Sequence, residues 1–435
     1  MLAPSFVRRT IVVGAVFLAS DAGGALAHAQ APTPATPQTP VAAPAAFTAG
    51  WQNGFVLQTA NGDNRLQFGA VVQLDGRFGI DDPLPITNTF TLRKTRPTLS
   101  GRLAKYVDYR VMTEFGSGGA TILDAYLDLR FSTKFRIRSG KDKTPVGYEV
   151  LLSDAGLLFP ERSLTSTLLP NRDVGVQAQG DLAGGKLFYA LGAFNGVADG
   201  ANSATDVDVN SGKDAAGRVV IQPWRSTATP LSVLSGLGFQ IGGSIGKQTG
   251  ALPAFRTSGG NQTYFSYAAA TGSTPAVTAG GNRTRFSPAV FYSYRSLGAF
   301  GEYARSTQTV VRGAATRDVA NQSWQVTGAL YLTGEAATTN VPSPKRPFDP
   351  PAGKFGALQL VGRYAELRVD NGIVDAGFAA AGASRTAQAF AVGANWYPAQ
   401  PVKYYFEFER TVFDGDANGA RPAEDIVLFR AQLAF

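Results

Sequence analysis

Basic side chains gather in a few short stretches of this chain. Arg93, Lys94, Arg96 and Arg102 crowd one segment, Arg110 and Arg130 follow, and Lys134, Arg136, Arg138, Lys141 and Lys143 complete the run. Farther on, Arg162 sits in an apolar stretch, and Arg256, Arg283 and Arg285 flank an uncharged segment, 257–282. Cations at this density can attract and hold anions through charge-assisted hydrogen bonds. The rest of the composition removes other chemistry. The 435 residues include no Cys and one His, which excludes thiolate metal sites, Cys nucleophiles and disulfides. The carboxylate pairs Asp206/Asp208 and Asp414/Asp416 lie in Gly-, Asn- and Ala-rich segments and read as solvated loop acids or a weak Ca²⁺ contact. Catalysis is therefore not supported, and neither a cofactor nor a resident metal is expected.

The elements that must carry these cations show a period of two. From Arg65 to Phe78 the even positions hold Leu66, Phe68, Val72, Leu74 and Phe78, while Arg65, Gln67, Gln73, Asp75 and Arg77 occupy odd ones. Leu123, Ala125, Leu127, Leu129 and Phe131 repeat the pattern against Asp124, Tyr126, Asp128 and Arg130. So do Trp324 to Leu332, Phe390 to Trp396, and the last segment, in which Val427, Phe429, Ala431, Leu433 and Phe435 alternate with Arg430 and Gln432. Such alternation puts two residue sets on opposite faces of a strand. Uncharged stretches such as 226–246 are full of Gly, Ser, Thr and Pro230, and none is a credible membrane helix.

A large soluble sandwich or propeller also alternates. Against it stand segments of about ten residues, suited to a tilted membrane crossing, and aromatics at segment ends such as Trp396-Tyr397 and Tyr404-Tyr405-Phe406. Only 17% of residues are charged, with 50 Gly, 28 Phe and 15 Tyr, and the mean hydropathy is −0.04. A soluble domain carries about 25% charged residues. The expected fold is all-β: a transmembrane antiparallel β-barrel of sixteen strands, with fourteen or eighteen also open, wide enough for a water-filled lumen.

The N-terminus fits export to such a site. Arg8-Arg9 precedes the apolar run Ile11 to Ala19, and Ala27-His28-Ala29 offers an A-x-A cleavage site, with cleavage after Ala27 as the alternative and a twin-arginine route the less ordinary one. The expected organisation is a signal peptide over 1–29, an Ala/Pro/Thr-rich tether over 30–49 and the barrel over 50–435. Cleavage after Ala29 removes His28, the last candidate for the usual general base. It also removes Arg8, Arg9 and Asp21, so the net charge falls from +8 to +7.

In a barrel the cations acquire a direction. A charge facing lipid costs about 2–4 kcal/mol at the midplane, so most must point into the lumen or lie at strand ends. With Leu99, Gly101 and Leu103 toward lipid, Lys94, Arg96 and Arg102 face inward. About half of the cations should pair with lumen acids such as Asp108, Glu114 and Asp128, leaving a surplus that repels cations and favours anions. Residues 144–172 lack clean alternation and are too apolar for solvent; folded into the barrel, the stretch would bury Leu151, Leu152, Leu157, Leu158 and Phe159 and narrow the lumen, with its polar side against the basic wall.

Several pieces in order resemble the phosphate-selective porins O and P over essentially all of the chain beyond the tether. These are Arg93-Lys94, Leu123-Asp124, Gly140-Lys141 leading through Gly147 and Glu149 to Pro160-Glu161-Arg162, Leu332-Thr333-Gly334-Glu335, Asn395-Trp396-Tyr397 and Phe435. The resemblance implies a trimeric sixteen-stranded outer-membrane barrel whose third loop folds inward, with an arginine ladder leading to a mid-pore anion site. It assigns Arg93 and Lys94 to the wall as a tandem pair, Asp124 as the wall carboxylate, Ser153 as a loop hydroxyl and Arg162 as the loop arginine. It also marks two departures: Val150 and Val71 stand where phosphate-selective members place basic residues. The expectation is passive diffusion of small anions through the outer membrane, with phosphate or polyphosphate as candidates. Arg93, Lys94, Arg96, Arg102, Asp124, Arg136, Arg138, Lys141, Lys143, Ser153, Arg162 and Arg256 would govern binding and selectivity. Partners would be lipid and two further copies of the chain, and no nucleic acid. A general or sugar-type porin, and a non-conducting adhesion or scaffold barrel, are the other readings.

Overall fold

A computed structural model describes residues 47–80, 86–203, 211–225, 233–414 and 421–435. The expected signal peptide, nearly all of the expected tether, and Asp206, Asp208 and Asp416 lie outside them. The first described strands, β1 (Phe47–Trp51) and β2 (Phe55–Thr59), form a small hairpin. The barrel begins with β3 (Arg65–Gly79), β4 (Thr89–Leu103), β5 (Val107–Glu114), β6 (Thr121–Arg130), β7 (Arg136–Lys143), β8 (Arg172–Leu182), β9 (Leu187–Phe194), β10 (Asp214–Ile221) and β11 (Gly238–Gly250). A short separate ladder, β12 (Phe255–Arg256) with β13 (Thr263–Phe265), lies in the next connection. The wall resumes with β14 (Thr278–Tyr294), β15 (Leu297–Arg312), β16 (Ala315–Tyr331), β17 (Ala357–Arg368), β18 (Thr386–Ala399), β19 (Val402–Asp414) and β20 (Glu424–Ala434).

All neighbouring wall strands pair antiparallel, and β20 returns to β3 with Val427 opposite Phe78 and Gln432 opposite Gln73. That closure makes sixteen wall strands and leaves no open edge. Where β20 ends, β2 takes over the free part of β3, pairing Phe55 to Phe68. Phe435 seals the seam: its backbone exchanges hydrogen bonds with Ala70, and its ring packs near Trp51, Phe55 and Phe68.

The alternation has the expected sense. Phe90 is 68% exposed and Leu191 65%, whereas Asp75 and Arg430 are 0% exposed. This inversion of soluble-protein burial suits a wall with lipid outside and polar groups inside. Barrel strands run from 8 to 17 residues, so some outlast the membrane crossing.

Two register shifts break the period of two where the chemistry sits. In β4, Lys94 pairs with Gln73 and Leu92 with Leu74, leaving Arg93 as the extra residue of a bulge. In β6, Asp124 pairs with Met112 and Ile122 with Thr113, leaving Leu123 unmatched. A bulge re-aims side chains, so two consecutive residues can share a face. Leu123 is accordingly buried, not on the lipid side where plain alternation places it.

The connection 144–171, third on its end of the barrel, folds inside as expected. Leu157 and Phe159 are buried, but Leu151, Leu152 and Leu158 are only half-buried. The deeper anchors are Val146, Val150, Leu164, Leu168 and Leu169, because short 3₁₀ turns at Glu149–Leu151 and Leu164–Leu168 bring them into the main apolar cluster. The connection carrying β12 and β13 joins that cluster through Phe255, Tyr264 and Phe265.

Candidate anion path

The bulge in β4 explains how adjacent cations serve one lumen. Phe90 and Leu92 point outward, while Arg93 and Lys94 both turn to the inward loop. Arg93 meets Glu161 through two bonds, Nε to Oε1 at 2.8 Å and Nη2 to Oε2 at 3.1 Å. Lys94 Nζ lies 3.1 Å from Asp154.

These two loop carboxylates organise the site. Glu161 also accepts from Arg77 at 2.8 Å and from Arg430 at 3.0 Å. Asp154 also accepts from Arg162 at 2.6 Å and from Arg96, which reaches Glu114 as well. Burial alone would raise the Asp154 carboxyl, but Arg162, Lys94 and Arg96 hold it well below the usual carboxylate range. For Glu161 the same penalty is outweighed by Arg93, Arg430 and Lys94. Both acids are therefore ionised at neutral pH.

The expected wall pairings are present. Arg102 donates to Asp108 at 2.7 Å, with Arg130 at 3.5 Å from the same acid. Arg138 reaches Asp128 at 2.7 Å and also Asp142, and Arg136 lies 4.0 Å from Asp128. Asp124 takes Arg172 at 2.6 Å and Arg110 at 3.0 Å. More than half of the predicted cations are thus paired: Arg93, Lys94, Arg96, Arg102, Arg136, Arg138 and Arg162 all have carboxylate partners, since the loop brings in acids that strand periodicity cannot register. Arg283 and Arg285, at the far end of the uncharged segment, are buried on Asp214 and Asp199.

A second demand falls on the wall donors. The inward loop has little regular structure, so its buried carbonyls need partners from elsewhere. Gln240 serves Gly147, Lys143 serves Leu152 at 2.7 Å, Gln432 serves Ala155, and Lys403 serves Leu157 at 2.7 Å. Asn395, Arg430 and Arg363 serve Leu158, Pro160 and Glu161. Lys143 is thus a loop fastener and not a rung of an open ladder. Lys141 is set apart from the loop acids, with its Nζ donating to the Ser203 carbonyl at 2.8 Å.

Two cavities flank the loop. One, of about 520 Å³, is lined by Arg93, Lys94, Arg96, Arg162, Arg172 and Arg256 against Asp154, Glu161 and Asp199; Arg96 and Arg172 also reach Glu114 and Asp124, which lie outside the lining. Arg256 is exposed there and, among the described residues, has no side-chain hydrogen bond or ion pair. The other, of about 770 Å³, is lined by Val71, Thr98, Ser100, Arg110, Ser153, Glu335 and Lys345 among others. Ser153 faces one cavity and its neighbour Asp154 the other, so the charged knot around Asp154 divides them. Val150 lines the first cavity and Val71 the second. Tyr331 and Tyr405 are buried and Tyr126 lies under Arg138, so they form no aromatic track.

Periodicity had already turned Arg77 and Arg430 inward, but their role at Glu161 was missed, as were Arg172, Arg363 and Lys403. Their partners lie up to 355 residues away in sequence.

A closed sixteen-stranded barrel with an inward loop and polar interior defines an outer-membrane porin, a protein of the bacterial outer membrane. The chain belongs to the family described as phosphate-selective porin O and P, which it matches over residues 69–435. No curated protein sequence matches it. Among solved structures it is similar to the outer membrane channel DcaP of Acinetobacter baumannii, at 13% identity and TM-score 0.55 over 87% of this chain and 99% of that one. It is also similar to an anion-selective porin from Comamonas acidovorans, at 11% identity and TM-score 0.52 over 85% and 99%. A trimer form of OmpT from Vibrio cholerae matches at 12% identity and TM-score 0.50, again over 85% and 99%. At such identities the likeness shows the fold.

Proposed function

We propose that this porin conducts small hydrophilic anions by passive diffusion, working as a homotrimer exported with a cleaved signal peptide. The observation that carries the reading is the first cavity, lined by six cations and three carboxylates, where Arg256 has no carboxylate partner among the described residues. A fixed positive surplus in a narrow aqueous path raises the local anion concentration and repels cations. The anion-selective character of the Comamonas acidovorans neighbour and the trimer form of OmpT agree with it. Inorganic phosphate and polyphosphate are candidate solutes, but Val150 and Val71 withhold two charges from a tight phosphate clamp.

The test is the reversal potential in planar bilayers under a KCl gradient. The wild type should be anion-selective, and Arg256→Glu, which puts an anion in place of a cation that has no ion pair among the described residues, should weaken the preference. Lys94→Glu or Arg96→Glu should act in the same direction, while also opening the knot at Asp154. Cation selectivity in the wild type would overturn the proposal. Block by oligosaccharide but not by phosphate would favour a sugar-type porin, and no conductance a scaffold barrel.

A further inference from the structure

We infer that Glu161 and Asp154 are specificity-determining residues of the pore: as built-in anions of the inward loop, they occupy the donor sets that would otherwise capture a permeating oxyanion. The inference rests on the proposed anion conduction. Glu161 sits among three guanidinium groups, from Arg93, Arg77 and Arg430, each within 3.1 Å. Arg430 also holds Asp75 through bonds of 2.6 and 2.7 Å and Arg77 meets Asp75 at 3.3 Å, so Arg93, which lines the cavity, is the donor that Glu161 chiefly occupies. Those cations come from three neighbouring wall strands, β4, β3 and β20, and meet at one carboxylate carried by the loop. Planar, forked guanidinium donors converging in this way suit a carboxylate or a phosphate oxygen equally well.

Asp154 repeats the arrangement with Lys94 at 3.1 Å, Arg162 at 2.6 Å and Arg96. Both carboxylates line the cavity that holds the positive surplus, so a solute arriving there meets donors already engaged. A phosphate ion must compete with a covalently tethered rival whose effective concentration is high. The consequence is weak, repeated encounter and fast passage in place of capture.

Neutralising one rival while keeping its shape tests this. Chloride current through single channels is measured while inorganic phosphate is titrated in. Glu161→Gln should lower the half-blocking phosphate concentration by at least about tenfold, because charge-assisted hydrogen bonds contribute about 1.5–3 kcal/mol each and about 1.4 kcal/mol is a factor of ten. Asp154→Asn should act in the same direction. Glu161→Asp keeps the charge and should leave block within about twofold of wild type, a margin below the factor of ten that 1.4 kcal/mol represents. Asp108→Asn removes a lumen acid that belongs to neither donor set and should leave phosphate block unchanged.

The inference is overturned if Glu161→Gln and Asp154→Asn leave block unchanged, or if they only raise open-channel conductance, since the carboxylates would then be pins for the loop. It is also overturned if Asp108→Asn strengthens block equally, since bulk lumen charge would suffice. A cation-selective wild type with normal conductance instead marks failure of the functional reading beneath it.

Discussion

At the scale of single residues, the ionisation of two loop acids links structure to conditions. Asp154 and Glu161 titrate below the usual carboxylate range because their cations outweigh the burial penalty. A carboxylate whose folded pKa is depressed stabilises the folded state above its unfolded pKa, near 4, and loses that contribution as pH falls through the folded value. Their contribution to docking of the loop should therefore be constant between about pH 8 and 5 and fall only below about 4. Single-channel recordings should accordingly show new substates or noise in the acid limb below about pH 4. Recordings that stay unchanged through that limb would show that these acids do not govern docking. Arg256 behaves differently: exposed and without an ion pair among the described residues, it acts through the field it adds to the cavity.

At the scale of elements, the inward loop is a segment without regular structure held by the wall. Its entry depends on Gly147, whose φ of +86° lies in the left-handed region and whose carbonyl is taken by Gln240. A Cβ there would stand 2.6 Å from Leu169 Cδ1 and 2.8 Å from Val150 Cγ1. Gly147→Ala should cost about 1–2 kcal/mol in backbone strain before any repacking. It should appear as a raised, noisier single-channel conductance with the barrel still resistant to unfolding in detergent. An unchanged conductance would mean that the loop tolerates the shift. This element was half legible in the sequence. The apolar content of 144–172 demands burial, and the period of two orients Gln73, Asp75, Arg430 and Gln432 inward. The bulges at Arg93 and Leu123 were hidden, because an extra residue in a ladder leaves no mark in residue type. Hidden too were the carbonyl partners: backbone acceptors are the same at every position, so nothing in Lys143 or Lys403 announces that a loop carbonyl awaits it. Pairing with Asp108, Glu114 and Asp128 could be read because those acids sit in strands of known direction. Asp154 and Glu161 could not, since they belong to a segment whose path follows from three-dimensional closure.

At the scale of the whole molecule, closure through β20 and β3 lets one chain enclose a polar interior larger than a soluble core would allow, since barrel size grows around its circumference. Most of the cations within it are neutralised locally, so selectivity rests on the small surplus around the first cavity and on the distance over which that surplus is felt. That distance is set by salt, the Debye length being about 10 Å at 0.1 M and about 3 Å at 1 M. A solute approaching through a cavity of about 520 Å³ is within reach of several of its cations at low salt and only of the nearest at high salt. The anion-to-cation permeability ratio from reversal potentials, at a fixed tenfold KCl gradient, should therefore fall steadily as the mean concentration is raised from about 0.1 to 1 M. Arg256→Glu should flatten that slope, since it removes a lining cation that has no carboxylate partner among the described residues. A ratio that holds constant across the range would place selectivity in direct contact with fixed donors instead. The Glu161 and Asp154 sites would then have to exchange their own carboxylates for the permeating ion at every passage.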